Sequence, residues 1–308
     1  PRLESEALAA ECPWLALEVW EEDEDPVTRL AARLGLDRRP ALLLGEGFRT
    51  GVLLSLAALT PCRPAAPVLA PLRATKDASE LTRMETAARH ADHVMAETAE
   101  MLRPGLTERE VARFILARFE TLGDHDPWAI VASGPNAAFP HHMTSTRALA
   151  EDEVVLLDLG AYHEGYGSDI TRTFWLGRPP SDFERLYEVV NEARAAGIAA
   201  ARAGAAAASV DAAARSVIER AGFGPHFVHR TGHGVGLEIH EPPYLVAGND
   251  APLAAGMVHS VEPGIYLPGR FGVRLEDLVV VERGGGRRLN HAPFSPAGGA
   301  PAPQRIAG

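Results

Sequence analysis

The run VVLLDLGAYHEGYGSDITRTFWLG, residues 154–177, constrains this chain more than any other stretch. Its first part, VVLLDLG, is too apolar to be solvated on either face and reads as a strand buried on both sides. Asp158 stands inside it. Asp169 follows in a second extended run, eleven residues on, and the glycine-rich AYHEGYG between them suits a tight connection. A carboxylate in such a strand is costly unless something positive compensates it. Two readings meet that demand: aspartates at turn starts that accept backbone N–H groups, or ligands of a metal ion. These residues alone do not choose between them.

Composition narrows the classes of protein. With 308 residues, 46% hydrophobic and 23% charged, the chain can build one large or two moderate globular domains with a substantial core. No apolar run reaches the length that spans a bilayer, no secretory pattern opens the chain, and no membrane partner is expected. The two cysteines, Cys12 and Cys62, support neither a disulfide framework nor a thiolate zinc site, so a reducing cytoplasm is the expected setting. A net charge of −11 argues against a nucleic-acid partner, which would need a basic stripe, and suits a protein that gathers carboxylates around a cation.

Along the chain, residues 1–72 read as a small α/β unit. PVTRLAARLGL (Pro26 to Leu36) has helical apolar spacing after the acidic EEDED, and ALLLG (Ala41 to Gly45) reads as a buried strand. The proline-rich CRPAAPVLAPLR then breaks the pattern and places a boundary at Leu72, leaving 73–308 as the second domain. That domain opens on a long amphipathic helix ending at Pro104 and Gly105. A capping box, Thr107 with Glu110, starts another, with Val111, Phe114, Ile115 and Phe119 on its core face. WAIVASG (Trp128 to Gly134) reads as a strand, followed by the turn-rich PNAAFPHH. After the opening stretch come two more helices, SDFERLYEVVNEARAAGIAAARAG and SVDAAARSVIERAGFG. Two helices and then strands, twice over, indicate a pseudo-repeat. It predicts a pseudo-symmetric sheet with helices on one side and a site between the halves.

The last third carries three dense segments: FVHRTGHGVGLEIHEPP (Phe227 to Pro243), HSVEPGIY (His259 to Tyr266) and GVRLEDLVVV (Gly272 to Val281). His229, His233 and His240 are spaced by 4 and 7, but Gly232, Gly234 and Gly236 oppose a regular helix, so a helical zinc motif does not explain them. Singly, each histidine is more often a structural hydrogen-bonding group, and Glu262 and Glu276 (beside Asp277) more often surface residues. Jointly, two Asp, two Glu and one His among apolar strands and glycines form an oxygen-rich set with one imidazole. Such a set suits two divalent ions of the manganese, cobalt or zinc type, bridged by carboxylates.

These segments resemble the five metal-ligand motifs of the pita-bread metallopeptidases: methionine aminopeptidase, aminopeptidase P, and prolidase, the Xaa-Pro dipeptidase. The likeness runs from about Leu72 to the C-terminus with the motifs in family order. It implies an α+β fold: a pita-bread catalytic domain with a pseudo-twofold repeat over 73–308, preceded by a small creatinase-like α/β domain over 1–72, shorter than the family's usual one. By position it implies Asp158, Asp169, His233, Glu262 and Glu276 as metal ligands. Asp169 and Glu276 would bridge two divalent ions, manganese first, with cobalt or zinc as alternatives. Asp158 would complete one shell, and His233 with Glu262 the other. His141, His229 and His240 match the family's supporting and substrate-contacting histidines, and Arg274 the arginine of its GVR-x-ED motif.

The chemistry that the resemblance implies is peptide hydrolysis by a metal-bridging hydroxide. Glu262 would carry the proton to the leaving nitrogen. His229 and His240 would donate to the developing oxyanion. Arg274 would pair with the substrate's carboxylate or orient Glu276. Methionine aminopeptidases share the GHG and HE-x-P words, whereas the upstream domain, GVRLED and the VEPGIYLPGRFGVRLED phrasing lean towards proline-specific members. HRTGHGVGLEIHE resembles bacterial prolidases more than aminopeptidase P. The expectation is a homodimeric Xaa-Pro dipeptidase acting on Xaa-Pro dipeptides or short peptides. Aminopeptidase P, acting on Xaa-Pro-Xaa peptides, is the second reading. A non-catalytic pita-bread module that binds peptides or proteins, and a single structural cation site, are the remaining ones.

Overall fold

Side-chain caps set where the long helices begin. In the computed structural model, which describes residues 1–36, 41–45, 47–292 and 305–306, the Asp77 side chain accepts from the amides of Ser79 and Glu80 while Glu80 accepts from the Asp77 amide, and α5 (Ala78–Met101) follows. The Thr107–Glu110 box opens α6 (Glu108–Thr121) in the same reciprocal way. Both helices bury a stripe at spacings of three and four, Met84, Ala88, Ala91 and Met95 on α5 and Val111, Ile115 and Phe119 on α6, with Phe114 half-buried.

The chain divides into two units, Pro1–Pro71 and Leu72–Gly308. The first contains α1 (Arg2–Glu11), α2 (Pro26–Leu34), β1 (Leu42–Leu44), α3 (Thr50–Ala57) and β2 (Cys62–Pro64). Asp25 caps α2, accepting from the amides of Val27 and Thr28. Strands β1 and β2 run parallel, with Leu42 opposite Cys62. Helix α4 (Ala66–Ala74) leads out of this unit. Within the two expected domains, positions 37–40, 46, 293–304 and 307–308 lie outside the described residues.

The second unit continues from α5 and α6 with β3 (His125–Ser133), β4 (Val154–His163), β5 (Tyr166–Gly167) and β6 (Ile170–Leu176). A second helix pair follows, α7 (Phe183–Ala200) and α8 (Ala207–Arg220). After it come β7 (Gly232–Gly234), β8 (Glu241–Leu245), β9 (Val258–Val261), β10 (Gly264–Leu267), β11 (Phe271–Arg274), β12 (Asp277–Val281), β13 (Gly286–Arg288) and β14 (Arg305–Ile306). Two helices then strands therefore occur twice. The strands do not form one continuous sheet. They separate into a five-stranded sheet ordered β14-β6-β4-β3 with β5 on β4, a five-stranded sheet ordered β13-β12-β9-β7-β8, and the hairpin β10-β11.

As the apolar run predicts, β4 is buried from Val154 to Gly160 and β6 throughout. Helices α5 and α6 cover β4 and β6 through Val94, Ile115, Phe119, Leu157, Leu159 and Phe174. Helices α7 and α8 pack with β10 and β11 through Val190, Ala214, Ile218, Ile265 and Val273. The connection AYHEGYG is mostly strand: Tyr162 pairs with Gly167 and His163 with Tyr166, leaving only Glu164 and Gly165 to turn. Among the described residues no helix is long and apolar enough to cross a membrane.

Candidate metal centre

Strand alternation sorts the polar residues of this unit onto two faces. Asp158 lies opposite Thr171 in the antiparallel β4–β6 pair, and Asp169 precedes Thr171 by two positions, so all three share one face. The same alternation at the junction of β11 and β12 puts Arg274 and Glu276 on one side and Asp277 on the other. Behind the site, Arg172 donates from Nη2 to Asp277 Oδ1 at 2.8 Å and from Nη1 to the Glu276 carbonyl at 2.6 Å. Arg194 pairs with the other Asp277 oxygen. Burial opposes the Asp277 charge, but Arg172 and Arg194 outweigh it and hold the carboxyl below its usual value. Glu276 is thus pinned through its backbone from the face that carries no ligand candidates.

His233 is placed by strands that come too close for side chains on either side of it. A Cβ at Gly232 would lie 2.1 Å from the Ser260 carbonyl oxygen, and one at Gly234 2.4 Å from that of Pro242. This close approach, rather than helical spacing, is the reason for the GHG word. The His233 amide donates to Ser260 Oγ at 3.1 Å, and Nδ1 lies 3.2 Å from the Gly234 carbonyl. A carbonyl only accepts, so Nδ1 carries the proton and Nε2 presents its lone pair. That nitrogen faces Glu262 Oε1 at 3.4 Å and Asp169 Oδ2 at 3.7 Å.

Arg274 ties the carboxylates together. Its Nη2 lies 2.5 Å from Asp158 Oδ2, Nη1 donates to Tyr266 OH at 3.0 Å and to the Pro140 carbonyl at 3.1 Å, and Nε donates to Thr171 Oγ1 at 3.1 Å. Thr171 in turn donates to Glu276 Oε2 at 2.7 Å. Of the two roles open to Arg274, the contacts are those that orient Glu276, through Thr171. Asp158 Oδ1 is buried and, among the described residues, accepts no hydrogen bond.

Asp158, Asp169, His233, Glu262 and Glu276 all line one cavity of about 570 Å³, together with His141, His229, His240 and Arg274. Burial first, then Glu276 and Asp158, push the Asp169 carboxyl well above the usual carboxylate range. Burial, then Glu262 and Asp158, do the same to Glu276. Burial pushes Glu262 up to about 7 although Arg274 opposes it. His233 is held down to about 3 by burial and then by His240, so its imidazole is neutral, the form that ligates a metal. Four carboxyl groups face two guanidiniums in the cavity, Arg274 and Arg230, so acidic groups outnumber basic ones there. Ligand atoms of Asp169, His233 and Glu276 lie within 4.8 Å of one another. Carboxylate oxygens with one neutral imidazole, and a buried carboxylate oxygen without a donor, fit divalent ions of the manganese, cobalt or zinc type.

The three remaining histidines differ. His240 is exposed, its ring 4.2 Å from that of His233, and among the described residues its ring nitrogens meet no hydrogen-bond partner. His141 is exposed on the cavity wall. His229 is engaged at both nitrogens: Nδ1 donates to the Arg230 carbonyl at 2.7 Å, which leaves Nε2 to accept from Tyr266 OH at 2.8 Å. Burial and then Arg274 lower it to about 4. His229 thus supports Tyr266 and, through it, Arg274.

Sequence reasoning passed over Thr171, Arg172, Tyr266, Asp277, Arg230 and Glu108. Thr171 was within reach, because it sits two positions from Asp169 and strand alternation puts both on one face. Glu108, fully buried at the start of α6, accepts from Ser133, Asn136, His142 and Ser145. It fastens the segment that carries His141. Burial alone would raise its carboxyl, but the hydrogen bonds from Asn136, Ser145, His142 and Ser133 overcome that and hold it at about 2, against an ordinary 4.5. A carboxyl with a depressed folded pKa contributes stability that is present above the unfolded value and lost as the pH falls towards the folded one. Glu108→Gln should therefore lower unfolding stability at pH 7 by on the order of 3 kcal/mol. Urea titrations should show the gap to wild type narrowing as the pH falls from 4.5 towards 2. Equal stability of the two proteins at pH 7 would contradict this role.

The pattern of metallopeptidase family M24 matches residues 82–283. The chain is similar to the probable dipeptidase PepE of Mycobacterium tuberculosis, with 43% identity over 310 aligned positions covering 95% of this chain and 80% of that protein. It is 42% identical to an Xaa-Pro dipeptidase of Lactobacillus delbrueckii subsp. lactis, covering 72% of this chain and 61% of that protein. Among solved structures, a recombinant prolidase from Thermococcus sibiricus superposes with a TM-score of 0.89 at 35% identity, covering 99% of this chain and 83% of that one. The matched residues include every segment that lines the cavity, and the chain belongs to metallopeptidase family M24.

Proposed function

We propose that this metallopeptidase is an Xaa-Pro dipeptidase that works with two divalent ions. The observation that carries the reading is the convergence of Asp158, Asp169, Glu262 and Glu276 with the neutral His233 in one cavity. The likeness to proteins named Xaa-Pro dipeptidase and prolidase supports the substrate. Asp158, Asp169, His233, Glu262 and Glu276 would hold the ions, manganese first. Five candidate ligands, four of them carboxylates, suit two ions better than a single structural one. Bound ions of this kind polarise a carbonyl and make hydroxide available near neutral pH.

The chain's own groups supply the rest. Glu262 takes a proton from the attacking water and gives it to the prolyl nitrogen, which leaves poorly unless protonated. His240, which lines the cavity and whose ring nitrogens meet no hydrogen-bond partner among the described residues, donates to the carbonyl oxygen as negative charge develops. Arg274 and Thr171 fix Asp158 and Glu276 so that the ligand set does not reorganise during the reaction. Trp128, Ile130 and Ile239 form the apolar part of the wall, complementary to a pyrrolidine ring.

The test compares Ala-Pro with Ala-Pro-Ala under one set of metal and pH conditions. A dipeptidase should favour the first by about tenfold or more in kcat/KM, a difference of roughly 1.4 kcal/mol. A preference for the tripeptide would transfer the chain to aminopeptidase P. Hydrolysis of neither, by folded and metal-loaded protein, would remove the proline-specific reading.

A further inference from the structure

A second group of metal-binding side chains, His90, Asp124 and His163, shares no residue with the lining of the cavity described above. All three belong to the second unit. His90 lies midway along α5, beside the buried Ala87, Ala88 and Ala91. Asp124 follows the end of α6, where Gly123 at φ +81° turns the chain and the Asp124 amide donates to the Phe119 carbonyl at 3.2 Å. His163 closes β4 at the two-residue turn into β5. Side chains 34 and 39 positions from Asp124 therefore meet on its carboxylate.

The Asp124 side chain is only 1% exposed, and among the described residues no arginine or lysine pairs with it. A buried carboxylate is costly unless it is paired or coordinated to a cation. His90 Nδ1 lies 3.0 Å from Oδ1 and 2.9 Å from Oδ2, and His163 Nδ1 lies 2.9 Å from the same Oδ1. The two rings stand at 78° to one another with centroids 4.9 Å apart. Both are partly exposed, which leaves an ion a path in from solvent. As hydrogen bonds these contacts need an N–H at both Nδ1 atoms. As ligands they need a lone pair on both, and a cation among the three groups brings the positive charge that a buried carboxylate requires. Ligand atoms of all three residues lie within 4.8 Å of one another. Ligands at about 2.0–2.1 Å around a tetrahedral zinc ion are separated by about 3.3 Å, so a small widening of the N–O contacts admits the ion.

We propose that His90, Asp124 and His163 form a separate binding site for a zinc ion, which fastens α5, the end of α6 and the β4–β5 hairpin to one another. Two imidazoles and one carboxylate differ from the oxygen-rich set of the cavity. Imidazole nitrogen suits zinc, whereas a carboxylate-rich set accepts manganese. The two sites should therefore differ in metal preference, and the peripheral one should hold zinc in the presence of manganese. The inference does not depend on the substrate of the enzyme.

The experiment strips wild type and the double variant His90→Gln/His163→Gln with chelator, reloads both with manganese, titrates them with zinc, and counts zinc per chain after dialysis. Zinc that displaces manganese from the cavity enters both proteins alike, so the difference between them reports the second site. Wild type should retain one zinc per chain more than the variant. Equal counts in two folded proteins would overturn the site. Single variants His90→Gln and His163→Gln, with the melting temperature of each, guard against a double variant that does not fold. Anomalous scattering at the zinc edge from wild-type crystals soaked in zinc needs no variant at all. A peak between His90, Asp124 and His163 is the expected result, and peaks confined to the cavity would refute the proposal.

Discussion

Glu262→Gln should lower the turnover of an Xaa-Pro dipeptide by about 10³-fold, with most of the loss in kcat rather than KM. Glutamine keeps the shape of the side chain and its place between Ser260 and His233, whose nearest atoms lie 3.4 Å from Glu262 Oε1. What it loses is the capacity to take up and release a proton. A carboxylate at the reacting centre can serve first as base and then as acid within one catalytic cycle. Because Glu262 is also a proposed ligand, metal content and melting temperature are measured on the variant, and the rate is taken with metal in excess. A folded, metal-loaded Glu262→Gln protein retaining a tenth or more of wild-type kcat would sink the proton-carrier role.

Much of this site was legible in the sequence, because its chemistry requires residues in places where they are otherwise costly. Asp158 in VVLLDLG and His233 between two glycines are conspicuous in the linear text. Their neighbours explain the strand burial and the close backbone approach that the structure contains. Glu276 and Asp277 show where linear reading stops. They are adjacent acidic residues, and strand alternation sends Glu276 into the cavity and Asp277 to the opposite face, where Arg172 and Arg194 neutralise it. Arg172 and Asp277 are 105 positions apart in the chain, and no local pattern announces such a pairing.

Arg274 and His229 carry a related lesson. Their motifs identified them, but not which of their nitrogens remain available. For Arg274 the contact with Thr171 connects it to Glu276. For His229 the carbonyl of Arg230 meets Nδ1 and the hydroxyl of Tyr266 meets Nε2. The pseudo-repeat was visible as an order of elements. That its strands form two sheets and a hairpin depends on hydrogen-bond pairing, which periodicity does not encode.

The metal centre itself has the largest consequence. Burial and mutual repulsion raise the carboxyls of Asp169 and Glu276, so in metal-free protein these groups take up protons instead of sharing a cavity as anions. Removal of divalent ions should then abolish Xaa-Pro hydrolysis, a loss of about 10³-fold or more given how much such ions contribute to hydrolytic barriers. The measurement is the rate of Ala-Pro cleavage by chelator-stripped protein as manganese is returned in known equivalents per chain. Activity that rises to a plateau at two equivalents is the predicted result. Undiminished hydrolysis by the metal-free protein would contradict the account at its centre.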